Sequence, residues 1–114
     1  MNAKQTQRAN RLAGEVIMGW EARDTGHFYD DRIHVMPIVA FCPCTNWEHA
    51  GWVWDRLVKL GYNLSLEHIN TDSCCIWLGM EFERAEVVND VGSAQAAIVA
   101  CALAVFGYDV EVKG

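Results

Sequence analysis

Tyr62-Asn63-Leu64-Ser65-Leu66-Glu67 alternates apolar and polar residues with a period of two, and Asn70-Thr71-Asp72-Ser73 follows as a cluster of turn formers. Such alternation puts Tyr62, Leu64 and Leu66 on one face of a strand and polar residues on the other. It resumes at Cys74 and runs to Phe82, with Cys74, Ile76, Leu78, Met80 and Phe82 on one side and Cys75, Trp77, Gly79, Glu81 and Glu83 on the other. The stretch predicts an antiparallel hairpin, to which Ala85 to Val88 adds a short third strand. A sheet with one apolar face needs a covering layer, and helical segments flank it on both sides.

On the N-terminal side, Ala9, Leu12, Ala13, Val16, Ile17 and Trp20 recur at spacings of three and four, which predicts a first helix over 9–20 with Arg8, Arg11 and Glu15 on its polar face. Asp24-Thr25-Gly26 reads as a turn, Tyr29 to Arg32 as an acidic polar stretch, and Ile33 to Phe41, interrupted by Pro37, as an edge strand or ordered loop. Thr45-Asn46-Trp47-Glu48 reads as a capping box that opens a second helix. Its predicted inward face is Trp47, Ala50, Gly51, Trp54, Leu57 and Val58, and Gly61 supplies a left-handed stop. After a turn and cap at Asn89 to Ser93, a third helix buries Ala94, Ala97, Ile98, Cys101, Ala102 and Val105 and ends at Gly107. The expected fold is α+β: a small antiparallel sheet, hairpin plus short edge strands, packed with three helices as a sandwich. One domain over 1–114 is expected, its core about 9–106, with 1–8 and 108–114 frayed.

Composition limits the function classes. A chain of 114 residues has room for one core, and 52% hydrophobic residues are enough to fill it without a disulfide or metal staple. Fifteen acidic against nine basic residues give a net charge of -6, which repels phosphate backbones, so direct nucleic-acid binding is disfavoured. The first ten residues are polar and the apolar stretch after them is interrupted by Arg11, Gly14 and Glu15, so secretion is not expected, and the apolar run Ala94 to Phe106 is too short to span a bilayer and reads as a buried core helix. Five cysteines are an odd number, and with no secretion expected they fit thiols in a reducing cytosol.

Ala13 to Trp20 (AGEVIMGW), Phe41-x-Pro43-x-Thr45 followed by the helix reaching Trp54 and Leu60, the hairpin, and the Ala-rich helix after Gly92-Ser93 together resemble the phage ABA sandwich domain, a family of small bacteriophage and prophage proteins. The resemblance covers about Leu12 to Phe106. It implies a phage origin and a bacterial host cytoplasm, and it carries no catalytic residues with it. The chain departs from the family pattern at Cys42 and Cys44 around Pro43 and in the longer segment from Arg23 to His34.

Candidate chemistry is sparse. Cys42, Cys44, His49, Cys74, Cys75, His27, His34 and His68 are zinc-competent residue types. However, one residue between Cys42 and Cys44 is too few for a zinc knuckle, and adjacent Cys74 and Cys75 point to opposite faces of a strand. Cys44 and His49 form a local thiol–imidazole pair across the start of helix two, but no orienting third group is evident. No catalytic residue, metal or cofactor is expected. The candidate partner-binding residues are Trp52, which falls off the predicted inward stripe beside Arg56 and Lys59, and the acidic residues Asp30, Asp31, Glu81, Glu83, Glu86 and Asp90. The ordinary alternatives are that Trp52 packs under the preceding segment and that the carboxylates form a solvated face.

These readings converge on a non-enzymatic phage protein. Its expected partner is a host immune effector with a basic nucleic-acid-binding groove, occluded stoichiometrically in an anti-CRISPR or related anti-defence role. One alternative is an oligomeric binder sequestering a nucleotide immune signal, with Arg23, Arg32, Arg56, Lys59 and Arg84 as available cations. The other is a phage accessory or structural protein without an immune role. Neither nucleic acid nor membrane is an expected direct partner, and a homo-oligomer is compatible with each reading.

Overall fold

Asn2 and Gln5 open the first helix. Asn2 Oδ1 accepts from the Gln5 backbone N–H at 2.9 Å, and Gln5 Oε1 accepts from the Asn2 N–H at 2.8 Å. This reciprocal pair is a capping box, and it makes the residues expected to fray helical: α1 spans Ala3–Leu12. The computed structural model describes residues 2–68, 72–78, 81–88 and 94–108. The predicted turns at Asn70 and Asn89 to Ser93 and the tail beyond Tyr108 fall wholly or largely outside these.

The first helix does not stay regular to Trp20. Over Ala13–Ile17 it widens into a π-turn, in which the Met18 N–H reaches the Ala13 carbonyl, five residues back, at 3.0 Å. Gly19 then turns the chain at φ +75°, a region that glycine enters without steric cost. Trp20 therefore lies beyond the helix. Gly14 matters for a different reason: a Cβ built on it would lie 2.5 Å from Cζ of Phe28, whose ring is fully buried against that turn.

Phe28 belongs to a sheet that the periodicity shows only in part. β1 (Glu21–Ala22), β2 (His27–Asp30) and β3 (Ile33–Pro37) pair antiparallel in that order. The Ile33 to Phe41 segment is thus a strand followed by a 3₁₀ turn over Ile38–Ala40. Tyr29 and Asp30, the start of the acidic polar stretch, are strand residues. Asp31 occupies the left-handed region at φ +59°, which Asp tolerates better than most residues, and its carbonyl accepts from Arg23 Nη2 at 3.0 Å.

α2 spans Trp47–Lys59, and its cap is Asn46 rather than Thr45. Asn46 Oδ1 accepts from the His49 N–H at 3.1 Å, whereas the Thr45 hydroxyl turns back to the Cys42 carbonyl. The inward face is also rotated from the predicted one. Ala50, Val53 and Leu57 are fully buried, whereas Trp47, Gly51 and Val58 are exposed. Gly61 takes the expected left-handed conformation at φ +99°.

β4 (Tyr62–His68), β5 (Asp72–Leu78) and β6 (Glu81–Val88) form a second antiparallel sheet in chain order. The single strand predicted from Cys74 to Phe82 is therefore two: Leu78 pairs with Glu81, so the chain has reversed between them. Alternation alone reads straight through so tight a reversal. The register also slips once. Phe82 pairs with Trp77 and Arg84 with Ile76, leaving Glu83 as an unpaired bulge residue.

α3 spans Ala94–Val105, and its burial extends beyond the stripe that the spacing picks out. Every residue from Ala96 to Leu103 is buried, because the helix is packed against β5 and β6 on one side and against α1 and α2 on others. A helix apolar all round is one enclosed between layers. Its end is a Schellman motif at Gly107 (φ +89°), with Tyr108 N–H to Leu103 O at 2.9 Å and Gly107 N–H to Ala104 O at 3.0 Å. The architecture is α+β, as expected. Among the described residues no helix is long and apolar enough to cross a membrane.

Candidate functional site

Where the first helix ends, its carbonyls lack helical partners, and α2 supplies one. Arg56 Nε donates to the Ile17 carbonyl at 3.2 Å, a charged group at a helix C-terminus where a cation is favoured. This contact ties α2 to the π-turn and fixes one wall of a groove. Across from it stands the edge of the β1–β3 sheet. Between them lies a cleft of about 510 Å³, floored by Met18, Trp20, Met36 and Trp52 and rimmed by Asp30, Asp55, Arg56 and Lys59.

The floor rests on an aromatic cluster built around Phe41, which is 1% exposed. Trp20 meets Phe41 edge-on at 4.9 Å between ring centres and Phe28 at 5.6 Å, while Trp52 lies parallel to Phe41 at 6.4 Å and meets His49 at 4.6 Å. Trp52 is thus half-buried, not a projecting anchor, because the actual turn of α2 points it at Phe41. One side of it still borders the groove.

The same cluster settles the local cysteine chemistry. His49 Nδ1 accepts the Cys42 backbone N–H at 3.0 Å and lies 3.8 Å from Cys42 Sγ, so the histidine faces Cys42 rather than Cys44. Cys44 is buried, its backbone N–H donates to Asn10 Oδ1 at 3.0 Å, and burial together with nearby Cys42 pushes its thiol up to about 12. The predicted Cys44–His49 pair does not form, and Cys44 stays protonated at neutral pH. Alkylation of the native chain is expected to label Cys42 ahead of Cys44, as read by peptide mass spectrometry. Labelling of Cys44 first would contradict the packing.

Burial lowers the pKa of His49 from its ordinary value of 6.5. A histidine with a depressed folded-state value binds fewer protons folded than unfolded. Stability from this group is therefore complete above pH 6.5 and declines as pH falls below it, levelling off under the depressed value. Urea midpoints across that window are expected to fall with pH in the wild type and to fall less in His49→Gln.

The other candidates separate. Asp30 sits on the groove rim, whereas Asp31 serves the β2–β3 turn. Glu81 and Glu83 are exposed, on either side of Phe82, with Glu83 at the bulge. Glu86 pairs in register with Cys74, its side chain lying outside the described ones, and Asp90 falls outside the described residues. The structure thus brings Trp52 and Asp30 to one cleft and leaves Glu81 and Glu83 on the other sheet. Sequence reasoning missed Met18, Met36 and Asp55 as lining residues; only the Asp55–Lys59 spacing, an exposed ion pair at 3.0 Å, gave a signal. His27 Nδ1 lies 2.8 Å from His34 Nε2, yet among the described residues no three His, Cys, Asp or Glu side chains gather as metal ligands would.

No family model matches the chain, and no curated protein matches it in sequence. A solved structure of a phage protein from Bacillus cereus ATCC 14579 does match in fold, with a TM-score of 0.70 over 97% of this chain and 95% of that one at 21% identity. The likeness shows a shared architecture across nearly the whole length.

Proposed function

We propose that the chain is a phage-encoded binding protein that inhibits a host defence system, anti-CRISPR or related, by stoichiometric occlusion of a basic surface on the effector in the host cytoplasm. The observation that carries the reading is the groove, in which an aromatic and thioether floor meets Asp30 at one rim, while Asp55 on the opposite rim is paired with Lys59 and Arg56 is tied to the Ile17 carbonyl. Such a cleft suits a lysine or arginine of the partner, its aliphatic stem on Trp20 and Trp52 and its charge beside Asp30. The net charge of -6 and the exposed Glu81 and Glu83 add attraction toward a positive surface. The phage setting is supported by the whole-length fold shared with the Bacillus cereus phage protein.

Affinity capture from host lysate, at low salt and again at about 1 M salt where the screening length is near 3 Å, tests the reading. The captured effector is expected in simple stoichiometry, to be lost at high salt, and to bind at least about tenfold more weakly to Asp30→Lys. Capture indifferent to salt and to Asp30→Lys would sink it.

A second reading, a binder of small anionic ligands such as a nucleotide signal, draws on a separate cleft of about 490 Å³ where Lys4, Arg8 and Arg11 face Ile38, Val39 and Phe41. These are not the cations the sequence suggested. Of those, Arg56 and Lys59 border the first groove together with Asp30 and Asp55, and Arg23 is held by Glu21, the Asp31 carbonyl and the Tyr29 ring. Thermal stabilisation by cyclic or linear nucleotides favours this reading over occlusion.

A further inference from the structure

β2 turns Phe28 into the core, so its neighbours His27 and Tyr29 point the other way, and Tyr29 pairs in register with His34 of β3. The three rings share one outward face. His27 Nδ1 lies 2.8 Å from His34 Nε2, with the ring centres 4.8 Å apart, and the Tyr29 ring meets His34 edge-on at 5.5 Å. None of the three lines either cleft described above.

Two neutral imidazoles this close share one proton, one nitrogen donating and the other accepting. If the donor ring carries its proton on its other nitrogen instead, both inward nitrogens present lone pairs, and neutral imidazole is a ligand for nickel, copper and zinc. The spacing then chooses among the ions. Two nitrogens each about 2.0 Å from one ion lie about 2.8 Å apart at a right angle and about 3.3 Å apart at the tetrahedral angle. The observed 2.8 Å fits the right angle of octahedral or square-planar ions rather than the tetrahedron of zinc. Arg23, over the Tyr29 ring at 3.8 Å, brings a positive charge to this face, but Glu21 pairs with it at 3.0 Å and the Asp31 carbonyl accepts from its Nη2.

We infer that His27 and His34 form a two-point chelate for a divalent transition-metal ion of right-angled coordination, Cu²⁺ or Ni²⁺, whose remaining positions water fills. Two protein ligands are fewer than a structural zinc centre uses, so the ion sits at the surface, open on its outer side. It ties β2 to β3, short strands in which only Phe28 is completely buried. The site uses no groove residue and is independent of the function proposed above.

Titration calorimetry of the full chain at neutral pH with Ni²⁺, which does not oxidise thiols, tests the chelate up to about 1 mM ion. One Ni²⁺ per chain is expected, held more tightly than Zn²⁺. His27→Gln and His34→Gln are each expected to weaken it at least about tenfold, and His68→Gln to leave it unchanged. Because the ion binds the folded state, it should raise the melting temperature of the wild type and not that of His27→Gln or His34→Gln. In proton NMR the paramagnetic octahedral ion should broaden the imidazole signals of His27 and His34 before those of His49 and His68, which a mere hydrogen bond between the rings would not cause. No binding by about 1 mM, binding that survives either substitution, tighter binding of Zn²⁺, or equal broadening of all four histidines overturns the inference.

Discussion

Gly14→Ala is expected to destabilise the chain by about 1–3 kcal/mol, a large penalty for one methyl group. The new Cβ would lie 2.5 Å from the Phe28 ring, closer than any van der Waals contact allows, and the ring is buried with no free volume to retreat into. Either the π-turn shifts or β2 does. Because β2 is the middle strand of its sheet, displacing Phe28 also loosens β1 and β3. The measurement is the midpoint of urea unfolding at unchanged slope. Gly51→Ala is the matched control, expected to stabilise by up to about 1 kcal/mol, since it improves helix propensity and meets no neighbour. Equal effects of the two would mean that Phe28 is not seated on Gly14.

Phe41→Ala is expected to cost more, about 3–5 kcal/mol, a substantial part of the 5–15 kcal/mol that holds a typical domain. Its ring is the shared neighbour of Trp20, Phe28, His49 and Trp52, so removal opens a cavity touching the first helix's end, the β1–β3 sheet and α2 together. The groove floor loses its support at the same time. Calorimetry should show the drop in melting temperature, and Phe41→Leu should recover part of it. A loss under about 1 kcal/mol would show that the cluster repacks freely and that Trp20 and Trp52 owe their positions to something else.

How far the amino-acid order revealed this architecture depends on where each element's support comes from. The β4–β5 hairpin, the glycine stops at Gly61 and Gly107, and the closing helix were legible because period and turn chemistry are local properties. The β1–β3 sheet was only partly so. Its strands are two to five residues long, carry His27, Tyr29, Asp30 and His34, and bury only Phe28 completely. What holds them is Phe28 against Gly14, fourteen residues away, and no short window contains both. α2 misled for a different reason. It is apolar on two faces, so its spacing announced a helix without saying which stripe turns inward, and the same ambiguity assigned Trp52 to the surface. Of the candidate site, Trp52 and Asp30 were found by residue type, but their meeting is tertiary.

The enclosure of α3 bears on how the chain is made. α1, α2 and the β4–β6 sheet precede it in the order of synthesis, yet the sides they turn toward it lack the cover of α3 until residues 94–105 leave the ribosome. A nascent chain stalled before that point would carry exposed, adhesive surface, and a nonsense codon near position 93 should yield insoluble product rather than a smaller working protein.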